Sequence, residues 1–347
     1  MNSKIGFQLS SVFLLSFITC LLISTVYSIN MRVSKPLFFN YLIGVIVFFV
    51  SYYFSQNDKL RRYNKYFLYF CCFYVFVAAL VLIYQHFILN ISRPGSFFGG
   101  VNTVARHFEL VIPVLVSILF FKPVNHKRNL AIGVVLLCLF CALFLTYSRG
   151  AWISVGVGTF FILLVNRVYK GLFGGAILLA VVFLQNSYGL KRLESILQLN
   201  HQDNLERVNG WISSLDIIRD YFWTGIGLGN FKPVYLQYML PQAHEHLVHA
   251  HNIFLVFGTE GGGLTAIFFI LFSLVAFSSI FRGVNVMTHF NYRTLVIGLS
   301  LAAFSSIIHG MVDHGFRKPM LWIMFMFELG FCFGLIKHYA RKVLELK

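Results

Sequence analysis

Apolar stretches near twenty residues long recur along this whole chain, and no other feature constrains its fold as much. They run over about 6–28, 36–55, 66–89, 102–121, 129–147, 150–166, 171–187, 252–280, 294–312 and 319–337. A helix needs roughly 20 such residues to cross a hydrocarbon core ~30 Å thick. Lipid offers the backbone no hydrogen-bond partners, so only helices and closed barrels span it. The runs lack the period-two alternation of a barrel strand. Only 12% of the residues are charged, against roughly 25% in soluble domains. The expected fold is an all-α polytopic membrane protein of about ten transmembrane helices. Lys4 and the run behind it resemble a signal peptide, but no small-x-small cleavage site follows, so the run reads as an uncleaved first span.

The net charge of +16 could suggest a nucleic-acid partner, so its placement decides. With the N-terminus inside, the cytoplasmic segments hold Lys4, Lys59, Arg61, Arg62, Lys65, Lys122, Lys127, Arg128, Arg167, Lys170, Arg282, Arg293, Lys337, Arg341, Lys342 and Lys347. Short loops rich in Lys and Arg on one side set orientation in a bilayer. The charge is therefore a topology signal, and no nucleic acid is expected. All six cysteines fall inside apolar runs. Cys138 and Cys141 have redox-motif spacing, yet on a span they read as small hydrophobes.

One long polar segment, 188–250, interrupts the pattern on the expected periplasmic side. It divides the chain into N-terminal membrane helices (1–187), a periplasmic loop (188–251) and C-terminal membrane helices (252–347). Long loops in compact proteins are usually functional. Leu205, Val208, Ile212, Leu215, Ile218 and Phe222 recur at helical spacing, which predicts an amphipathic helix with one apolar stripe. That stripe can rest on the bundle or the headgroup region. Arg207, Trp211 and Ser214 lie on another face, open to a ligand. Gly225, Gly227 and Gly229 follow the helix and precede Pro233, so they do not form a dinucleotide fingerprint, which needs a preceding strand. They read as a turn; an anion-holding nest is the weaker alternative.

The segment ends in His244-Glu-His-Leu-Val-His-Ala-His-Asn252, with four of the twelve histidines. Two readings compete. His246 with His249, or His244, His246 and His251 with Glu245, could bind zinc, although no HExxH arrangement is present. Alternatively one imidazole deprotonates a hydroxyl acceptor, a task suited to a group that titrates near neutral pH. His251 is the best placed, beside Asn252 at the mouth of the eighth apolar run. Arginines stand nearby in places where charge is costly. Arg149 lies between two spans that must form a hairpin, Arg207 opens the amphipathic helix, and Arg106 sits one turn into the fourth span near Glu109. A guanidinium presents a planar fork that suits phosphate. For Arg106 an internal pair with Glu109 is an equal alternative. Glu260, beside Gly261–Gly263, could shape a cavity, and Arg317 could contact an acceptor or anchor its loop.

These residues together resemble the O-antigen ligase family. The pattern is Ser148-Arg-Gly-Ala-Trp152, Arg207-x3-Trp211, Trp223-Thr-Gly-Ile-Gly-Leu-Gly-Asn-Phe231, His249-Ala-His-Asn252 and Glu260-Gly-x-x-Leu264, with Arg93-Pro-Gly-Ser-Phe97 upstream. The resemblance covers roughly residues 90–330. It implies inverting, metal-independent glycosyl transfer without a cofactor, from an undecaprenyl-diphosphate-linked glycan to the lipid A-core oligosaccharide, on the periplasmic side of a bacterial inner membrane. It casts His251 as the catalytic histidine and Arg149 and Arg207 as holders of the diphosphate. Arg106, Trp211, His249, Asn252, Glu260 and Arg317 are the expected substrate contacts. An O-antigen polymerase or a protein O-oligosaccharyltransferase would share the pattern. A transporter fits less well, because the ionisable residues gather at one face and no inverted repeat is visible.

Overall fold

The computed structural model describes residues 3–167 and 202–345. The expected span at 171–187 and the first part of the expected loop, 188–201, lie outside them. Among the described residues all regular structure is helical: α1 (Ser3–Val26), α2 (Met31–Gln56), α3 (Arg61–Phe87), α4 (Val101–Ile118), α5 (His126–Leu145), α6 (Arg149–Val165), α7 (Gln202–Asp220), α8 (Phe231–Tyr238), α9 (Ile253–Gly261), α10 (Gly263–Val284), α11 (Phe290–Gly310) and α12 (Pro319–Glu345). Eight of them are long and apolar enough to cross a membrane, namely α1–α5 and α10–α12; α6 is apolar but shorter.

One expected span needs correcting. The run 252–280 is not a single helix but two, α9 and α10, broken at Gly262. Gly262 has φ +90°, and a Cβ there would lie 2.8 Å from the Phe222 carbonyl. The Gly263 N–H donates to that same carbonyl at 2.7 Å. Hydropathy cannot see this break, because a glycine between apolar residues leaves the run apolar. Its consequence is functional: α9 is too short to span, and it presents Asn252 at one end and Glu260 near the other.

The chain forms two compact units. One comprises the described parts of 1–52, 200–283 and 309–333, the other those of 53–199, 284–308 and 334–347. In the first, Trp322 is fully buried and donates its indole N–H to the Tyr41 carbonyl at 2.9 Å. Phe316, Tyr41, Phe325, Phe17 and Phe269 surround it at ring-centroid separations of 5.2, 5.3, 5.9, 6.0 and 6.3 Å. Gly330 lets α12 approach α2, since a Cβ there would meet the Phe48 carbonyl. In the second unit α4 is the central helix, buried along Val104–Ser117. Gly158 of α6 and Gly298 of α11 touch it at Pro113 and Ser117. Small residues at such contacts let membrane helices pack closely. Arg106 and Glu109 are both buried in α4, so their charges face protein and not lipid.

Candidate active site

The histidine segment is held in place by its apolar residues. Leu247 and Ala250 are buried with Ile217, Ile226, Phe231, Val234, Tyr235 and Val256 in one cluster. Leu247 presses on α7 at Gly210, where a Cβ would lie 2.3 Å from its Cδ1. A second anchor is polar: Glu206, buried in α7, accepts the His244 N–H at 3.1 Å and the Glu245 N–H at 3.2 Å. The side chains of His244, Glu245 and His246 are exposed, whereas His249 and His251 are partly buried.

His251 is fixed from three directions. Its backbone is left-handed, with φ +48°, a conformation a non-glycine residue adopts only when its surroundings impose it. Its N–H donates to His249 Nδ1 at 3.3 Å. Its ring Nδ1 lies 3.2 Å from Asp313 Oδ1. Asp313 is buried and also accepts the His314 N–H at 2.8 Å. The next residue, Asn252, caps α9 by accepting the Phe254 and Leu255 N–H groups at 2.9 and 3.2 Å. Its amide donates to the Met311 carbonyl at 3.0 Å, tying the cap to the Asp313 loop. With a proton on Nδ1 shared with Asp313, Nε2 of His251 is left as the acceptor. Helix packing at the mouth of a span therefore does not fix His251; a capped short helix and a carboxylate do.

Arg207 lies in the second turn of α7, which begins at Gln202, and does not open it. It lines a cleft of about 110 Å³ together with Glu206, Glu245, Leu247 and His251. Trp211, one turn on, is half-buried, and its indole Nε1 has no acceptor among the described residues. The packed face of α7 is made of Glu206, Gly210, Ser213, Ser214 and Ile217. The first part of the apolar stripe points outward, with Leu205, Val208, Ile212 and Leu215 42–59% exposed, whereas Ile218 and Phe222 are half-buried and pack against Gly258 and Gly263. Ser214, expected on an open face, is buried and bonds the Gly210 carbonyl. At the end of α7, Asp220 accepts the Tyr238 hydroxyl at 2.8 Å. That bond pushes the Tyr238 phenol up to about 12 and, with Arg219, holds the Asp220 carboxyl below its usual range.

Glu260 is the hub between these elements. It is buried, pairs with the Arg317 guanidinium and accepts the Gly229 N–H at 2.9 Å. Its carbonyl accepts the Gly227 N–H at 3.0 Å and the Ser24 hydroxyl. Arg317 also reaches the Val248 carbonyl at 3.4 Å. The N–H groups of Gly225, Ile226, Gly227 and Gly229 are thus all bonded inside the protein, so the glycine run is a turn and not an anion nest. Arg149 and Arg106 belong to the other compact unit. Arg149 is the first residue of α6, after a three-residue link from α5 that includes Tyr147 at φ +51°. The Ser148 side chain makes no cap bond there.

For a metal, the described residues bring together His249, His251 and Asp313, whose donor atoms lie within 4.8 Å of one another. Neither His244 nor His246 belongs to this group. Sequence reasoning missed Asp313 and Glu206. Asp313 stands 62 residues from its partner and carries no local signal. Glu206 had one, since Gln202, Glu206, Gly210 and Ser213 follow each other at helical spacing.

Comparison with known proteins bears on what this arrangement is for. No curated protein matches the chain. Residues 134–270 match the family model described as O-Antigen ligase. The matched segment holds Arg149, Arg207, Trp211, His249, His251, Asn252 and Glu260, while Arg106, Asp313 and Arg317 lie outside it. Over this segment, well under half of its length, the chain is similar to the O-antigen ligase family.

Proposed function

We propose that the protein transfers a glycan from an undecaprenyl-diphosphate carrier to a sugar hydroxyl of the lipid A core, at the periplasmic face of a bacterial inner membrane. The observation that carries this reading is His251 held by Asp313 in the cleft that Arg207 also lines. His251 Nε2 takes the proton of the acceptor hydroxyl, and Asp313 steadies the imidazolium that forms. The acceptor oxygen attacks the anomeric carbon on the face opposite the diphosphate, so configuration inverts. The bond from that carbon to the carrier oxygen breaks, and the charge moves onto the diphosphate. Arg207, in the same cleft as His251, meets that growing charge, and the family resemblance implies the same role for Arg149. Arg149 suits the role because it opens α6, where first-turn N–H groups and the helix dipole also favour an anion. The carrier diphosphate is already an activated leaving group, so the reaction needs no nucleotide. His249 and Asn252 brace His251 and the Asp313 loop, and these two residues, with Trp211, Glu260, Arg317 and Arg106, are the proposed substrate contacts.

The test is ligation in vitro with purified protein, lipid-linked donor and core acceptor. His251→Ala should lower transfer by roughly 10²–10⁴-fold, the usual contribution of a positioned general base, with the protein inserted at normal levels. Near-normal transfer by that variant would remove the imidazole from the chemistry.

A further inference from the structure

The second compact unit holds a crevice that the transfer reaction does not use. It encloses about 230 Å³ against the wall of α4, between Cys72, Phe73 and Phe76 of α3 and Ala131, Ile132 and Val135 of α5. The lining is apolar, and Phe73 at its edge is 66% exposed.

Basic residues stand in register above it. Residues 3–4, 7 or 11 apart share one face of a helix. On α3, Lys65 precedes Cys72 by seven and Phe76 by eleven, and Arg62 precedes Phe73 by eleven. On α5, Lys127 precedes Ala131 by four, and Arg128 precedes Ile132 by four and Val135 by seven. At a rise of about 1.5 Å per residue, the crevice lies roughly 6–16 Å below these charges along the helix axes. That is the depth at which an acyl chain runs beneath its phosphate. Neither α3 nor α5 contains an acidic residue. The nearby carboxylate of Asp58 is engaged by Arg61 at 2.8 Å. The same helix ends carry the basic bias that marks the cytoplasmic side of a membrane protein.

We propose that this unit binds an anionic phospholipid of the inner leaflet. One acyl chain fills the α3–α5 crevice, and the phosphate sits on Arg62, Lys65, Lys127 and Arg128. A solvated basic belt would attract anionic lipid too, but it would not need an apolar slot in register beneath it.

Native mass spectrometry of the purified full chain, titrated with phosphatidylglycerol or phosphatidylcholine of matched acyl chains, tests this. Phosphatidylglycerol should bind at least about tenfold more tightly. Lys127→Gln with Arg128→Gln should weaken it about 25-fold, at roughly fivefold per charge. Ala131→Phe, which fills the slot without touching charge, should weaken it as well. Leu130→Phe, on the neighbouring lipid-facing surface (72% exposed), should not. Equal binding of the two lipids would overturn the proposal. So would unchanged affinity in Ala131→Phe, which leaves only a charged belt. Full displacement of phosphatidylglycerol by millimolar inorganic phosphate would also overturn it, by making the ligand a free anion.

Discussion

The Glu260–Arg317 pair should be unequal in what its two halves cost to remove. Glu260 has a side chain 1% exposed and Arg317 one 22% exposed. Arg317→Met would strand a carboxylate with the Gly229 N–H as its remaining side-chain bond. Breaking a buried pair in this way costs about 3–5 kcal/mol. Glu260→Gln keeps an oxygen for Gly229, and the guanidinium it abandons can turn toward water. Its cost should be that of a lost charge-assisted bond, about 1.5–3 kcal/mol. Removing both charges together leaves nothing stranded. The double variant should therefore be more stable than Arg317→Met alone, with a coupling of roughly 2 kcal/mol, within the range for residues in contact. The assay is unfolding of purified protein in mixed micelles of rising SDS content, followed by tryptophan fluorescence. Additive losses, with Arg317→Met no worse than Glu260→Gln, would refute the buried-pair argument. If Arg317 instead served the acceptor alone, KM would rise at unchanged stability.

Three further outcomes follow from the site. Arg149→Lys and Arg207→Lys keep the charge but lose the planar fork, and each should impair in vitro ligation nearly as much as substitution by Ala; full activity in both would reduce the arginines to general electrostatics. Gly227→Ala forces a Cβ to within 2.0 Å of Ser28 Oγ and 2.8 Å of Ser28 Cα at φ +87°, so it should destabilise the fold by about 1–3 kcal/mol, read as an earlier SDS midpoint, and an unchanged midpoint would count against the turn's geometry. EDTA should leave ligation intact; loss of activity restored by zinc would make His249, His251 and Asp313 a working metal site.

The membrane helices were legible because each is a long unbroken signal, and hydropathy alone locates them. What hydropathy missed has a common cause: it reports what a segment is made of, not what it bonds. The Gly262 break is invisible in an apolar run, yet it is what gives His251 a capped helix to stand before. Asp313 could not be found from the histidine motif, because the two meet only through the fold. The amphipathic helix was legible, but its Glu206, Gly210 and Ser213 face was the one to pack inward. A soluble helix would bury the Leu205–Leu215 stripe; beside a bilayer, lipid can take the place of a core.

Under the proposed function, that outward stripe bears on how a lipid-borne substrate would meet its cations. A helix of low overall hydropathy with an exposed apolar face settles at the boundary between headgroups and acyl chains. A diphosphate on a polyprenyl carrier lies at that same depth, since its tail stays in the hydrocarbon while its charge cannot follow. On α7 the exposed positions Leu205, Val208, Ile212 and Leu215 and the packed positions Glu206, Gly210 and Ser213 flank Arg207 and Trp211. Under the proposed function, a guanidinium between an outward apolar face and an inward packed one would stand at phosphate height, with His251 across a cleft of only about 110 Å³. Such a small cleft cannot enclose a polysaccharide. In the proposed transfer it needs to admit only the anomeric carbon, the hydroxyl that attacks it and the diphosphate that leaves, while the rest of both substrates stays in solvent or in lipid.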